Sequence, residues 1–147
     1  MRMRRFLSRN AFCARLSSAA LAFGTSCPAV AQTCSTDIPG GTKLQSPHYL
    51  IAYRATPAPI PMGRHFTLDL AVCARDGAAE PAGISVDANM PEHRHGMNYK
   101  TVVKPLGGGR YRAEGLMFHM PGRWELQFDV RNGDGENVRL TDTVLLK

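Results

Sequence analysis

The stretch "RWELQFDVRNGDGENVRLTDTVLLK", residues 123–147, decides the fold of this chain. Its first half places an apolar residue at every second position, from Trp124 to Val130, with polar residues between them. A period of two is typical of a β-strand that buries one face. The turn-forming residues 132–135 follow, and a second run of strand-forming residues comes after them. The stretch therefore predicts an antiparallel β-hairpin.

Five further runs of β-forming residues, separated by turn signals, precede this hairpin. They are residues 48–54, 65–73, 83–89, 99–103 and 110–118. Together these segments make about seven short strands, and no segment has the period of an amphipathic helix. We predict an all-β chain, an immunoglobulin-like (cupredoxin-like) antiparallel β-sandwich over residues 48–147. Residues 32–47, with their Pro and Gly breakers, are predicted to be an irregular N-terminal segment.

The first 31 residues are predicted to be a secretory signal peptide. They begin with several arginines, continue with a short apolar run and end in Ala29-Val30-Ala31. A basic start, an apolar middle and an A-x-A end are the three parts of such a peptide. The apolar run is too short and too interrupted to span a membrane convincingly. We therefore expect a periplasmic or secreted mature chain that begins at Gln32 and has no membrane span.

The basic character of the sequence belongs mainly to this leader. The whole chain carries a formal charge of +6, and the five arginines of residues 1–31 are accompanied by no acidic residue. Removal of the leader lowers the net charge by five, to +1. A nearly neutral mature chain gives no support to nucleic-acid binding.

Cys34 and Cys73 are the two cysteines that remain after residue 31. An even pair in an exported chain favours a disulfide. It would close a loop of about 40 residues and stabilise the fold by roughly 3–4 kcal/mol. The alternative is that the two thiolates serve as soft metal ligands, although their spacing is not that of a C-x-x-C motif.

Two short stretches combine histidine with methionine: "MPEHRHGM" at 90–97 and "MFHMPG" at 117–122. Strands that alternate in direction put both stretches at one end of the sandwich, because two strands separate them. The Pro-rich loop that carries Met62 would lie at the same end, with His65 just after it. Cys73 would lie at the opposite end, where the N-terminal segment enters the first strand.

This combination of side chains favours copper. Imidazole binds several transition metals, and thioether sulfur adds a preference for copper, chiefly Cu(I). We expect one Cu(I) or Cu(II) ion, held by some of the histidines and methionines of the two stretches. The candidate ligands are His93, His95, Met97, Met117, His119, Met120 and Met90.

Other interpretations remain open at this level. The first stretch could be a solvated turn, and methionines often fill the end of a core. Met90 continues the series of inward-facing residues, every second position, in the strand before it, and could be a core residue. A zinc site is less favoured because Glu92 is the sole carboxylate beside the histidines. A type-1 copper centre would need a cysteine, which neither stretch contains.

The sequence also predicts that the protein is not an enzyme. Nothing in it resembles a nucleophile accompanied by a base and an orienting acid. The three glycines at 107–109 form a turn without the following helix that a phosphate-binding loop requires. Trp124 is most simply the core aromatic of a sandwich.

The chain resembles the YtkA-like and FixH-like group of exported or membrane-anchored bacterial β-sandwich domains. The likeness covers roughly residues 64–146 and rests on the segments "MP" at 90–91, "HGM" at 95–97, G-x-Y at 109–111 and "MFHMPGRWEL" at 117–126. The Met/His pattern is also similar to that of periplasmic copper chaperones of the PCuAC type. These resemblances imply copper handling and a part in cytochrome oxidase assembly.

Two hypotheses of function follow. The first is a periplasmic copper-binding protein, a metallochaperone or copper buffer, that supplies a cuproenzyme or an oxidase-assembly partner. The alternative is a non-catalytic accessory module whose end loops dock on a membrane or periplasmic partner protein, with histidine and methionine as an adaptable surface.

Overall fold

The computed structural model describes residues 34–75 and 77–147, which form nine β-strands and no helix. The predicted signal peptide lies outside the described residues. The strands, in chain order, are β1 (Thr42–Gln45), β2 (Tyr49–Thr56), β3 (His65–Ala74), β4 (Pro81–Met90), β5 (His95–Gly96), β6 (Val102–Gly107), β7 (Arg110–Met117), β8 (Gly122–Asn132) and β9 (Asn137–Leu146).

The nine strands make two antiparallel sheets. One has the order β1-β2-β3-β7-β6 and the other the order β5-β4-β8-β9. The predicted all-β sandwich is thereby confirmed, and the seven predicted strands correspond to β2–β4 and β6–β9. Two short strands differ from the prediction. β1 lies in the segment expected to be irregular, and β5 lies inside the first Met/His stretch.

The core lies between the sheets and follows the alternation of the sequence. Along β8, the side chains of Trp124, Leu126, Phe128 and Val130 are completely buried, while the residues between them are partly exposed. Burying such a side chain contributes roughly 1.5–3 kcal/mol to folding. The hairpin of β8 and β9, paired from Gly122 to Arg131, therefore supplies one wall of the core.

The antiparallel topology gives the sandwich two chemically different ends. The connections 57–64, 91–101 and 118–121 lie together at one end, which we call the His/Met end. A hydrogen bond from the Gly63 amide to the Phe118 carbonyl, 2.8 Å long, joins two of these connections. All five methionines after residue 31 and four of the five histidines lie at or next to this end, as predicted.

The opposite end holds a disulfide between Cys34 and Cys73, as the cysteine pair predicted. Their Cα atoms are 5.6 Å apart. The link fastens the N-terminal segment to the end of β3. Gly109 is required beside it, because a Cβ on that residue would lie 2.8 Å from the Cys34 sulfur, at a φ of +74°. Since both sulfurs are bonded to each other, neither is a free thiolate ligand.

No helix in residues 34–75 or 77–147 is long and apolar enough to cross a membrane.

Candidate functional site

The hairpin between β4 and β5 positions the first two candidate histidines. The Met90 carbonyl accepts hydrogen bonds from the amides of His93 and Arg94, at 3.1 and 2.9 Å. Arg94 adopts a left-handed φ of 56°, which reverses the chain. His95 then pairs with Met90 in the sheet. This turn leaves His93 exposed at the tip and brings the half-buried His95 back beside the core.

The connection between β7 and β8 positions the third histidine. Phe118 is buried and stacks on Trp124 with a centroid distance of 4.6 Å and an interplanar angle of 8°. The indole Nε1 of Trp124 donates a 3.0 Å hydrogen bond to the Met120 carbonyl. Between these two anchors, the ring of His119 stands nearly perpendicular to that of Trp124, with a centroid distance of 5.3 Å. The loop is thus fixed on both sides of His119.

The three imidazole rings form a row across the His/Met end. The centroid of His95 lies 5.8 Å from that of His93 and 5.2 Å from that of His119. The ring of His95 also lies 6.1 Å from Trp124. Residues from two connections more than twenty positions apart therefore share one cluster, which we call the histidine row: His93, His95 and His119.

The spacing of the histidine row fits metal ligation. An imidazole nitrogen binds a metal ion at about 2.0–2.1 Å, so two rings on one ion have centroids roughly 5–6 Å apart. Both neighbouring pairs in the row fall in this range. In addition, the Nδ1 atom of His119 is buried and has no hydrogen-bond partner within the described part of the chain. A buried polar atom without a hydrogen-bond partner is unfavourable unless a water molecule or an ion interacts with it.

His95 presents a defined ligand atom. Its Nδ1 lies 3.1 Å from the carbonyl oxygen of Gly96. Because a carbonyl can only accept, this contact is a hydrogen bond when Nδ1 carries the proton. In the neutral ring the lone pair then belongs to Nε2, which is left as the atom for a metal.

The methionines of the two stretches occupy different environments. Met97 and Met120 are partly buried at the margin of the core, close in sequence to His95 and His119 respectively. Because of these positions, we expect Met97 and Met120, of the five methionines, to join the histidine row.

Met90 and Met117 lie elsewhere. Met90 is completely buried within the core cluster, and its Cε occupies space 2.7 Å from where a Cβ of Gly122 would stand. Met117 is the last residue of β7, stands between the buried Leu116 and Phe118, and pairs with His65 of β3. Its side chain therefore belongs to the outer face of the five-stranded sheet.

The one carboxylate of the first stretch is engaged in an ion pair. Arg123 Nε donates a 2.8 Å hydrogen bond to Glu92, and this hydrogen bond raises the pKa of the guanidinium above its ordinary value. The pair joins the hairpin tip to the start of β8. Across residues 34–75 and 77–147, no three His, Cys, Asp or Glu side chains converge in an arrangement that could hold a metal ion. A metal site here would therefore depend on imidazole pairs and thioether sulfur.

The structure adds two aromatic neighbours that the sequence did not indicate. Trp124 was expected to be a core residue, and it is buried, but its ring also forms T-shaped pairs with His95 and His119. Tyr99 meets the ring of His65 edge-on at 4.9 Å. The alternation on β8 indicated the burial of Trp124, whereas its contacts depend on how the two connections fold over it.

The sheets and their end connections define the class of protein as an antiparallel β-sandwich domain. A family model described as YtkA-like matches residues 56–129, just over half of the 147 residues. The chain belongs to the YtkA-like family. This confirms the YtkA-like part of the resemblance that the Met/His segments indicated.

Comparison with solved structures shows a similar fold in a bacterial protein. The crystal structure of a DUF4426 family protein from Pseudomonas aeruginosa PAO1 is similar with a TM-score of 0.50 and 6% sequence identity. The similarity covers 71% of this chain and 96% of that one. At this identity the likeness concerns the fold alone. A comparison with curated proteins gave no match.

Proposed function

We propose that this protein is a periplasmic copper-binding protein, a metallochaperone or copper buffer, without catalytic activity of its own. The observation that carries the proposal is the position of His95. Its ring lies 5.2 Å from His119, whose buried Nδ1 has no partner in the described structure, and 5.8 Å from His93.

The nature of the nearby donors favours copper over harder ions. Met97 and Met120 lie at the margin of the core, two residues after His95 and one residue after His119 in the chain, and Glu92 is paired with Arg123. Soft thioethers together with imidazoles suit Cu(I), whereas carboxylates suit harder cations. The copper ion would be cargo, about one per chain, for a cuproenzyme or an oxidase-assembly partner.

Two features support an exported location. Residues 1–31 have the composition of a secretory signal peptide. The Cys34–Cys73 disulfide suits an oxidising compartment, where thiols are not available as copper ligands and histidine and methionine take their place.

The proposal is tested by metal titration. The purified protein is titrated with Cu(I), Cu(II) and Zn²⁺ against chelators of known affinity, and X-ray absorption then counts nitrogen and sulfur ligands. We expect one copper ion bound in preference to zinc, with at least one sulfur ligand. A His93→Ala/His95→Ala double variant should lose at least about tenfold in copper affinity, or about 1.4 kcal/mol.

His48→Ala is the matched control, because His48 is exposed and precedes β2 at the disulfide end. This variant should bind copper as the unmodified chain does. Unchanged copper affinity in the double variant, or stronger binding of zinc than of copper, would contradict the proposal.

A second function has a specific observation in its favour. Met62, Tyr99 and Val102 are large apolar residues at the His/Met end with exposed fractions of 51%, 44% and 57%. Exposed apolar side chains gathered at one end are typical of a docking surface. The protein would then be an accessory module that binds a partner protein without metal. Partner binding that survives dialysis against a copper chelator would favour this function.

A further inference from the structure

We propose that His95 is shared by two overlapping copper subsites, so that copper enters between His93 and His95 and passes inward to His95 and His119. This inference rests on the proposed copper function and adds a direction to it. The outer subsite is the pair His93 and His95, and the inner subsite is the pair His95 and His119. The passage is a ligand exchange on Cu(I): the bond to His93 breaks, the bond to His119 forms, and no electron is transferred.

The first argument is the single donor atom of His95. Because its Nδ1 is directed at the Gly96 carbonyl, the ring has only Nε2 free for a metal. One nitrogen lone pair binds one ion, so the two subsites cannot hold two ions together through His95. Occupation of one subsite must therefore alternate with occupation of the other.

The second argument is a gradient of burial along the row. His93 is exposed at the tip of the hairpin, while His95 and His119 are half-buried. The Nδ1 of His119 is fully buried and unpaired among the described residues. An ion arriving from solvent meets His93 first, and His119 carries a buried nitrogen whose lack of a partner a ligand would relieve.

The third argument is the chemistry of the surroundings. Of the described rings, that of His93 lies close to His95 alone, whereas His119 and His95 are both in T-shaped arrangements with Trp124. Met120 follows His119 directly and offers its thioether at the margin of the core. The inner subsite is drier and contains the histidine that Met120 directly follows in the chain, so we expect it to favour Cu(I) more strongly than the outer one does.

The experiment uses Trp124, the single tryptophan of the chain, as a local reporter. The protein is mixed anaerobically with Cu(I) supplied as its acetonitrile complex, and tryptophan fluorescence is followed by stopped flow. We expect two phases. The first has a rate proportional to copper concentration and reports entry, and the second is independent of copper concentration and reports the passage inward.

The variants separate the two subsites. His93→Gln should slow the first phase at least about fivefold while equilibrium affinity changes less than about threefold, because loading and release slow together. His119→Gln should retain the first phase, lose the second and bind Cu(I) at least about tenfold more weakly. His65→Gln, at an exposed position of the same end, is the control and should show both phases unchanged.

The outcomes are distinguishable. No Cu(I) binding by the unmodified chain would contradict the proposed function itself. Binding in a single phase, with equal losses of affinity in His93→Gln and His119→Gln, would indicate one three-histidine site and overturn the two subsites alone. The emission maximum of Trp124 and the melting temperature of each metal-free variant verify its folding. If His119→Gln is unfolded, His119→Asn replaces it, with the same expected loss of the second phase.

Discussion

At the residue scale, Met90 and Met97 begin and end the same eight-residue stretch yet have different surroundings. Met90 completes the inward-facing series of β4 and is fully buried in the core. Met97 follows β5, where its amide donates a 3.2 Å hydrogen bond to the Ala88 carbonyl, and its side chain lies at the core margin. The alternation of inward- and outward-facing residues along the strand indicated that Met90 could be a core residue, and the structure places it in the core.

Substitution of Met90 by alanine should therefore affect stability. Removing a fully buried methionine leaves a cavity and costs about 2–5 kcal/mol in the free energy of unfolding. We expect Met90→Ala to show this loss in urea denaturation. Met62→Ala, at a position in the 57–64 connection that is half exposed, should change stability by less than about 0.5 kcal/mol. A Met90→Ala variant as stable as the unmodified chain would refute the core assignment.

The backbone and packing at position 122, at the start of β8, require glycine. Its φ is +125°, and a Cβ there would lie 2.7 Å from the Met90 Cε. Gly122→Ala should lower the free energy of unfolding by about 1–3 kcal/mol through backbone strain and overpacking. Gly133→Ala is the control, because a Cβ at Gly133 meets nothing within 4 Å. Equal melting temperatures for the two variants would show that the close approach to Met90 is not a constraint.

At the element scale, β1 and β5 show where local sequence reasoning is insufficient. β1 lies between Gly and Pro breakers, and its side chains are mostly exposed. It exists because β2 offers a sheet edge, to which residues 42–45 pair in register. β5 is two residues long and exists because the turn after Met90 returns the chain beside β4. Neither strand has an alternating pattern long enough to be recognised in the sequence.

The disulfide fastens the segment that precedes β1 to β3. Reduction, or a Cys34→Ser/Cys73→Ser variant, opens a link between residues 39 positions apart. We expect the free energy of unfolding to fall by roughly 3–4 kcal/mol from the restored freedom of the unfolded chain. The measurement is chemical denaturation with and without reductant.

Reduction of the disulfide should lower the stability of the fold but leave copper affinity nearly unchanged. The disulfide and the histidine row lie at opposite ends of the sandwich. The reduced protein, at a temperature where it stays folded, should bind copper within about twofold of the oxidised protein. A large loss of affinity in the folded, reduced protein would mean that the two ends are coupled.

At the scale of the whole molecule, Tyr53 links the two sheets. Its ring packs on Phe128 of the opposite sheet at a centroid distance of 5.1 Å, and its hydroxyl donates a 2.5 Å hydrogen bond to Asp142 of β9. Burial first, and then the hydrogen bond to Asp142, raise the pKa of Tyr53 well above its ordinary value of 10.0. Burial likewise raises the pKa of Tyr49 and of Tyr111.

These raised pKa values predict a loss of stability in alkaline solution. The unfolded chain releases its tyrosine protons near pH 10, whereas folded Tyr53 retains its proton. The stabilisation is therefore fully present below pH 10 and decreases as the pH rises above it. Denaturation midpoints measured from pH 8 to pH 11 should show this decline.

Tyr53→Phe should lessen that decline without abolishing it, since Tyr49 and Tyr111 still contribute. At neutral pH the variant should lose about 1.5–3 kcal/mol, the usual value for a hydrogen bond to a charged group. Tyr99→Phe, at an exposed position, is the control. If Tyr53→Phe shows the same alkaline decline as the unmodified chain, the inter-sheet hydrogen bond does not account for it.

The sequence by itself determined the main features of this protein. Alternation along β8 and β9 and the turn residues between them determined an antiparallel sandwich, because side-chain period and turn geometry are local properties of the chain. Strand direction then determined that the histidines and methionines gather at one end and the disulfide at the other. The signal peptide and the copper function remain predictions.

Only the tertiary structure decided how the side chains at the His/Met end are arranged. It placed Met90 in the core and Met117 on an outer face, and it joined His93, His95 and His119 in one row beside Trp124. Distances between side chains on different connections depend on how the connections pack over the core. No period within either stretch encodes that packing.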